Sequence, residues 1–565
     1  MHPANPGSGI PGPDTSRLAA IDIGSNSIHM MIVETDGRGG HRTLDREREM
    51  VRLGRSALGP SGRLSERAVR QGLDALLRMT TLARLRGVER FVAVATSAVR
   101  EAANGEEFLE QVRARAGLDV RLLSGEEEAR LIWRAVREAV DLSRGTHAIV
   151  DIGGGSTEWI VASDDRIVEA RSLPLGSLRC AHLLPSDPPT PGELGRLGRR
   201  IARELRALAD PGSVGRGGAR GAGRAIGRLV ATSGTANCCA DLHAWFEGRN
   251  GRGPGAGLRE LRWRDLDRVV ARLRPLSRRQ IAALPPVGEG RAASLLPGAL
   301  LLAAVARHAG VERLTVSDRA LREGLVLEEL GAPAPEAARG DVRRRQVLSL
   351  LERTGGAMAA HGDKAAELAG RLFDATGALH DLGGREREWL EHAARLHDIG
   401  HSIHYRGHHK HSQYLIETAA LDGFDEREIE VIAQVARYHR GSRPRLDHPA
   451  FAALRPWQRR AVVRLAALLR VADALDRTHA GRVEDVRIEI RRRRVRLEVV
   501  SASDVGIEIE TVRERRALFE ETFGRRLELR QAPPDPPPAD DRKLRRDKHL
   551  PGGAGSAVEK PPRRR

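Results

Sequence analysis

Cysteine is almost missing from this chain: there are three in 565 residues, and two of them, Cys238 and Cys239, are adjacent. So sparse a set builds neither a disulfide framework nor a zinc-ligand spacing, and it fits a reducing cytoplasm. Aromatic residues make up only 3% of the sequence, too few to supply stacking platforms for single-stranded nucleic acid. No specific nucleic-acid partner is therefore expected. No run approaches the roughly 18 consecutive apolar residues of a membrane span, so no membrane partner is expected either. Residues Met1 to Ser16 are rich in Pro and Gly and lack an apolar core. They read as a short disordered lead (1–16), not a secretory signal.

Apolar residues reach 40%, enough for globular cores, and the length calls for three or four domains. The net charge is +18, from 94 basic and 76 acidic residues, with arginine far outnumbering lysine. Such a field concentrates polyanions, whether nucleic acid, anionic lipid or polyphosphate. Much of the excess lies away from any core. Residues 541–565 hold nine Lys/Arg against three Asp/Glu, and residues 211–228 hold four Arg among many Gly. The basic balance alone therefore says little about function.

From Leu18 to about Leu330, β-branched runs alternate with helical patterns, which predicts an α/β architecture. Strands are expected at Leu18–Ile23, Ile28–Glu34, Phe91–Ala95, His147–Asp151, Glu158–Val161 and Leu229–Thr232. Amphipathic helices are expected near Glu66–Arg86, Gly105–Ala116 and Gly125–Val140. The Pro/Ala/Gly-rich stretch near residues 331–341 reads as a linker. From Val342 to Arg477 the apolar spacing is helical throughout. Val486–Ile490 and Val495–Val499 then alternate around the turn Arg491–Arg494, a β-hairpin, with Ile507–Ile509 expected as a third strand. The Pro-rich run after Gln531 should end ordered structure, leaving a disordered basic tail.

One internal repeat organises the first half. Asp22-Ile23-Gly24-Ser25-Asn26-Ser27 and Asp151-Ile152-Gly153-Gly154-Gly155-Ser156-Thr157 each follow an apolar strand and precede another. Glycine at such a turn lets backbone N–H groups approach a phosphate. Ser25, Asn26, Ser156 and Thr157 add side-chain donors, and Asp22 and Asp151 can hold a divalent cation or orient a water. A single copy would read as a plain hairpin. Two copies predict two similar lobes, 17–140 and 141–330, facing each other across a bipartite phosphate site. A Rossmann site is disfavoured because a strand, not a helix, follows each glycine turn, and no P-loop lysine is present.

The segments DIGSNSIHMMIVE, VATSAVREAANGEEFLEQV, LLSGEEEARLIW and IVDIGGGSTEWIV resemble, in order and spacing, the exopolyphosphatase / guanosine pentaphosphate phosphohydrolase (Ppx/GppA) family. LPLGSLRC, VATSGTANCCADL and VSDRALREGLVLE follow in the expected order. The resemblance implies an α/β two-lobed actin-like (ribonuclease H-like) phosphatase module, hydrolysing phosphoanhydrides with magnesium. It makes Glu128 the general base and places Arg100 beside the phosphate. Asp151 and Glu158 become candidates, with Asp22, for magnesium and water positioning. Without it, Glu126, Glu127 and Glu128 would read as favourable charge in a helix first turn. The implied substrate is inorganic polyphosphate or, alternatively, guanosine pentaphosphate, and the implied assembly is a homodimer. The readings from another class are a regulatory protein that senses polyphosphate or nucleotide, and a phosphohydrolase whose main site lies in the second half of the chain and acts on nucleotides or phosphodiesters.

The second half carries a different resemblance. His397-Asp398, then IGHSIHYRGHHKHSQYLI, VARYHRG and LLRVADALDR, resemble the HD superfamily of metal-dependent phosphohydrolases. This implies an all-α HD-type domain (342–482), followed by a small β appendage (483–530). It implies a second divalent metal site formed by His361, His397, Asp398 and Asp473. His408, His411 and His439 fall where a second ion's ligands would lie, while His401, His404 and His409 read as surface residues. Imidazole and carboxylate from separate helices can enclose such a cation.

Overall fold

A computed structural model describes residues 16–35, 41–59, 61–142, 145–164, 166–208, 225–248, 258–331, 342–356, 358–419 and 421–534. The expected disordered lead before Ser16, most of the Arg/Gly segment 211–228, the linker past Gly331 and the tail past residue 534 lie outside the described residues.

Two mixed sheets build the first half. One contains β1 (Arg17–Ile23), β2 (Ile28–Thr35), β3 (His41–Glu49), β4 (Arg90–Ala95) and β5 (Val120–Leu122), in the order β3-β2-β1-β4-β5. The other contains β6 (Thr146–Ile152), β7 (Thr157–Ser163), β8 (Arg166–Leu173), β9 (Arg228–Thr232), β10 (Arg259–Arg262) and β11 (Arg313–Val316), in the order β10-β11-β9-β6-β7-β8. In each sheet the strand ending in Asp pairs antiparallel with its hairpin partner and parallel with the strand on its other side. The repeated motif is thus a repeated lobe. Central strands such as β1 and β6 are apolar up to their Asp because both faces are covered. The edge strands β3 (HRTLDRERE) and β8 (RIVEARSL) carry charge along their length, which discourages pairing with another chain.

Capping signals place the helices. Ser65 accepts from Ala68 N–H at the start of Glu66–Leu85, and Ser124 forms a capping box with Glu127 at the start of Gly125–Ala139. The helix Leu321–Glu329, late in the second lobe's sequence, packs back across the first. Leu321 and Leu325 share a buried cluster with Leu18, Leu131, Ile149 and Ile160. Gly324 lies so close to the Leu131 carbonyl that any side chain there would collide with backbone. This helix fixes the lobes to one another and carries residues into the cleft between them.

The second half is helical from Val342 to Ala474, as its spacing predicts. It ends in a three-stranded sheet of β12 (Asp485–Ile490), β13 (Arg494–Val500) and β14 (Arg526–Ala532), with β13 and β14 parallel. Ile507–Ile509 is no strand: it opens the helix Gly506–Arg515, and the third strand is β14. That strand runs one residue past Gln531, where order was expected to end. The appendage has no core of its own, since Val495, Leu497 and Leu527 are buried with Leu465, Val471 and Phe519.

The helical half docks on the second lobe through main chain and charge. Leu258 N–H donates to Phe424 O at 2.9 Å, and Arg319 holds both carboxylate oxygens of Asp422. Among the described residues no helix is long and apolar enough to cross a membrane.

Candidate active site

The two glycine turns close alike. Gly24 N–H donates to Ser27 O at 3.2 Å, and Gly153 N–H to Ser156 O at 3.0 Å. These two amides therefore serve the hairpins, not a phosphate. Register sets Asp22 opposite His29 and Asp151 opposite Glu158, so the duplication delivers an acidic strand end to the cleft from each lobe. The turns also touch. A Cβ at Gly154 would stand 2.8 Å from the Ser25 Cβ, and one at Gly155 would collide with Ser97. The hydroxyls expected to meet phosphate are engaged within the protein here: Ser25 with Ser97 at 3.1 Å, and Thr157 with the Leu175 carbonyl. The Asn26 side-chain oxygen is buried without a partner.

Four carboxylates converge in this cleft. The capping box sorts the run of three glutamates: Glu126 pairs with Arg130 at the surface, Glu127 accepts from Ser124 N–H at 2.8 Å, and Glu128 turns inward to 7% exposure. Burial, then the charges of Glu158, Asp22 and Asp151, push the Glu128 carboxyl well above its usual range, with Arg100 opposing. Burial pushes Asp22 up to about 7 against the pull of Arg322, with Asp151 and Glu323 adding to the rise. Asp151 also rises to about 7, by burial and then the Glu158 charge, while Thr232 opposes through a hydrogen bond. Burial likewise raises Glu158, although it accepts from Ser172 at 2.9 Å. Asp22 Oδ1 and Glu128 Oε2 are buried without a hydrogen-bond partner. Such crowded, orphaned carboxylates suit a divalent cation. Among the described residues, however, no three of them bring ligand oxygens within 4.8 Å of one another. A cation held here would complete its shell with water and substrate oxygens.

Cations face these acids. Arg100 lies 3.7 Å from Glu128 Oε2 and donates to Leu123 O at 2.5 Å, which fixes its guanidinium. Sequence reasoning missed His29, Arg48, Arg291 and Arg322. His29 Nε2 meets Ser27 Oγ at 2.7 Å and its Nδ1 meets Arg322 at 3.3 Å. Burial and then Arg322, Arg48 and Arg291 hold it well below its usual pKa, hence neutral. Burial, Arg291 and Arg322 bring Arg48 down to about 10. Three mutually repelling arginines stand beside the acidic cluster, a charge pattern that a nearby anion would relieve.

The second cluster lies in the helical half. His361, His397, Asp398, Asp473, His408 and His439 are gathered, each sharing a candidate metal-ligand group with others of the set. His411 joins none of these groups, and its Cβ lies over Gly400; His401, read from sequence as a surface residue, groups with Asp398 and His408, and His479 groups with His361 and Asp398. His404 is exposed, as expected of a surface residue. The Arg491–Arg494 turn offers less free charge than its sequence suggests, because Arg491 pairs with Glu489 and Arg494 with Glu528.

Paired glycine hairpins that deliver acids from two duplicated lobes to one cleft define a two-lobed fold of the actin-like class. The chain matches the Ppx/GppA phosphatase family over residues 31–332 and its domain III over residues 342–514, and it belongs to that family. It is 33% identical over 330 residues to Exopolyphosphatase 1 of Mycobacterium bovis, covering 57% of this chain and 90% of that protein. Exopolyphosphatase 1 of Mycobacterium tuberculosis matches equally well. A crystal structure of an exopolyphosphatase from Cytophaga hutchinsonii is 25% identical with a TM-score of 0.51, covering 56% of this chain and 99% of that one.

Proposed function

We propose that this chain is an exopolyphosphatase, releasing terminal orthophosphate from inorganic polyphosphate. The observation that carries the reading is the convergence of Asp22, Glu128, Asp151 and Glu158 with a fixed Arg100 between the two glycine turns. Glu128 accepts a proton from the attacking water, a role open to a buried carboxylate of raised pKa. Arg100 steadies the charge on the terminal phosphoryl group, and Arg48, Arg291 and Arg322 hold the anionic chain behind it. Asp22, Asp151 and Glu158 would hold magnesium, whose charge offsets that of the phosphate oxygens. Three free, buried cysteines agree with work in the cytoplasm.

The test is orthophosphate release with magnesium from long-chain polyphosphate and from guanosine pentaphosphate, at matched chain ends, for wild type and Glu128→Gln. Glu128-dependent release from polyphosphate is expected. Preference for the nucleotide moves the assignment to the other branch of the family, and release indifferent to Glu128 overturns it.

A further inference from the structure

Glu158 is held in place where two other acids of the cleft are not. Its carboxylate accepts from the Ser172 hydroxyl at 2.9 Å and from Ser156, whereas Asp22 Oδ1 and Glu128 Oε2 meet no donor. Ser156 belongs to the glycine turn just before β7. Ser172 comes from the edge strand β8, and strand register is what delivers it. Asp151 on β6 stands opposite Glu158 on β7, and Glu158 in turn stands opposite Ser172 on β8. Directly opposed residues of antiparallel strands present their side chains on one face, so Asp151, Glu158 and Ser172 form a row across the sheet. The row runs from buried to exposed: Glu158 is 1% exposed, and Ser172 at the sheet edge faces solvent. The hydrogen bond between them has a buried carboxylate as its acceptor, the strong, charge-assisted kind.

Ser172 also touches the helix that carries Glu128. Gly125 opens that helix, and any Cβ there would collide with the Ser172 Cβ and stand 3.0 Å from its Oγ. The helix start therefore rests on Ser172, and Glu128 follows three residues later, in the first turn. One serine thus meets both Glu158 and the base of the helix that brings Glu128. The two carboxylates repel each other, so an untethered Glu158 would turn away from Glu128. A carboxylate has about four lone-pair sites, so two hydroxyl donors leave Glu158 room to take a cation as well. The pairing of β7 with β8 is made by backbone and does not need the hydroxyl.

We propose that Ser172 is a positioning residue of the cleft: its hydroxyl orients Glu158 for the magnesium that Glu158 would hold, and its contact with Gly125 sets the spacing of Glu128 from Glu158. The proposal rests on the reading of the cleft as a magnesium-dependent exopolyphosphatase. Ser172 takes no part in proton or phosphoryl transfer. A group that orients a metal-binding side chain typically governs metal affinity or activity by about 10- to 100-fold. Loss of the hydroxyl should therefore be felt chiefly in the magnesium requirement, and displacement of the helix start chiefly in turnover.

The test uses the full chain, stripped with chelator. Magnesium binding is followed by calorimetry, where the component lost in Glu158→Gln belongs to the cleft. Orthophosphate release from polyphosphate is followed across magnesium concentrations. Ser172→Ala keeps the Cβ against Gly125 and removes only the donor. It should weaken the cleft component about 10- to 100-fold and raise the magnesium needed for half-maximal release by the same factor, with the smaller part of the loss in kcat and no change in melting temperature. Added to Glu158→Gln, it should change magnesium binding no further. Gly125→Ala should lower kcat even at saturating magnesium, and adding Ser172→Gly, which removes the colliding Cβ, should recover part of that loss. Magnesium binding that is lost in Glu158→Gln but unchanged in Ser172→Ala overturns the proposal, as does a Gly125→Ala defect that Ser172→Gly does not relieve, or no defect at all. If Glu158→Gln alters neither binding nor release, the reading of the cleft itself fails and the proposal falls with it.

Discussion

Glu128→Gln separates catalysis from architecture because its two expected effects run in opposite directions. The amide keeps the volume and packing of a side chain that is almost wholly buried, but it cannot take a proton from water. Loss of a general base should lower kcat by about 10²- to 10⁴-fold, or roughly 3–5 kcal/mol of barrier. Stability should move the other way. The folded-state pKa of Glu128 is raised, so its contribution to stability is fully present below the unfolded-state value and is lost as pH rises through the folded value. Metal-free wild type carries more of that penalty at pH 8 than at pH 4, and the variant carries none at either. Its melting temperature in chelator should therefore exceed wild type's at pH 8, with the gap closing toward pH 4. Orthophosphate release and thermal unfolding measured on the same preparations decide the matter. A variant that loses stability along with activity at pH 8, or one that keeps more than about a tenth of kcat, refutes the reasoning.

Three further outcomes are expected. Magnesium added to the metal-free chain at pH 7 should release protons, since burial brings Asp22 and Asp151 up to about 7 and a cation favours their charged forms; calorimetry in buffers of different ionisation enthalpy reads this, and no release would count against these ligands. Gly154→Ala would set a Cβ 2.8 Å from the Ser25 Cβ of the opposite lobe and 3.1 Å from the Leu178 Cδ1. This overpacking, about 1–3 kcal/mol, should wedge the lobes apart and lower kcat more than it lowers melting temperature; unchanged kinetics would mean that turn contact does not matter to turnover. Arg319→Ala or Asp422→Ala alone should destabilise the chain by about 3–5 kcal/mol, because each breaks a largely buried ion pair in which Asp422 is 7% exposed. Adding the second substitution should cost much less than the first; an additive double variant in a urea-unfolding cycle would deny the coupling.

The carboxylate framework was legible because it rests on a repeat: two strands ending in Asp, each followed by glycine and hydroxyl residues, point to one place in two lobes. The choice of Glu128 among three consecutive glutamates was not visible in local physics. All three suit a helix first turn, and only the capping box, which engages Glu127 at Ser124, turns Glu128 inward. His29, Arg48, Arg291 and Arg322 were missed because they come from two strands, a pre-helical turn and a helix, with no motif linking them. That His401 stands beside Asp398 while His411 does not has a local cause. The chain leaves Asp398 in the 3₁₀ turn Ile399–Ser402, whose three-residue period returns His401 to the face of Asp398. His411 falls one turn into the following helix, against Gly400. Ile507–Ile509 alternates like a strand over only three residues; in the helix Ile507 is 61% exposed and Ile509 is buried. Edge strands β3 and β8 escaped because their charged faces carry no apolar alternation to read.

The two clusters also differ in ligand chemistry, and that difference sets which ions each can select. The cleft offers mainly carboxylates, and among the described residues no three of them bring oxygens within 4.8 Å of one another, which leaves part of any ion's shell to water and substrate. Hard oxygen ligands that leave room for water and phosphate favour magnesium, which gives up its hydration reluctantly. The helical domain offers imidazoles held by their outer nitrogens, a set that favours first-row transition metals over magnesium. One joint between the two halves, Leu258 to Phe424 and Arg319 to Asp422, lies three residues before Arg322 in sequence. Because Arg322 reaches His29 in the cleft, the docking of the helical half positions one of the cleft's own cations. Disturbing that joint should alter how polyphosphate is held before it alters the histidine-rich centre, whose ligands all come from within the helical half.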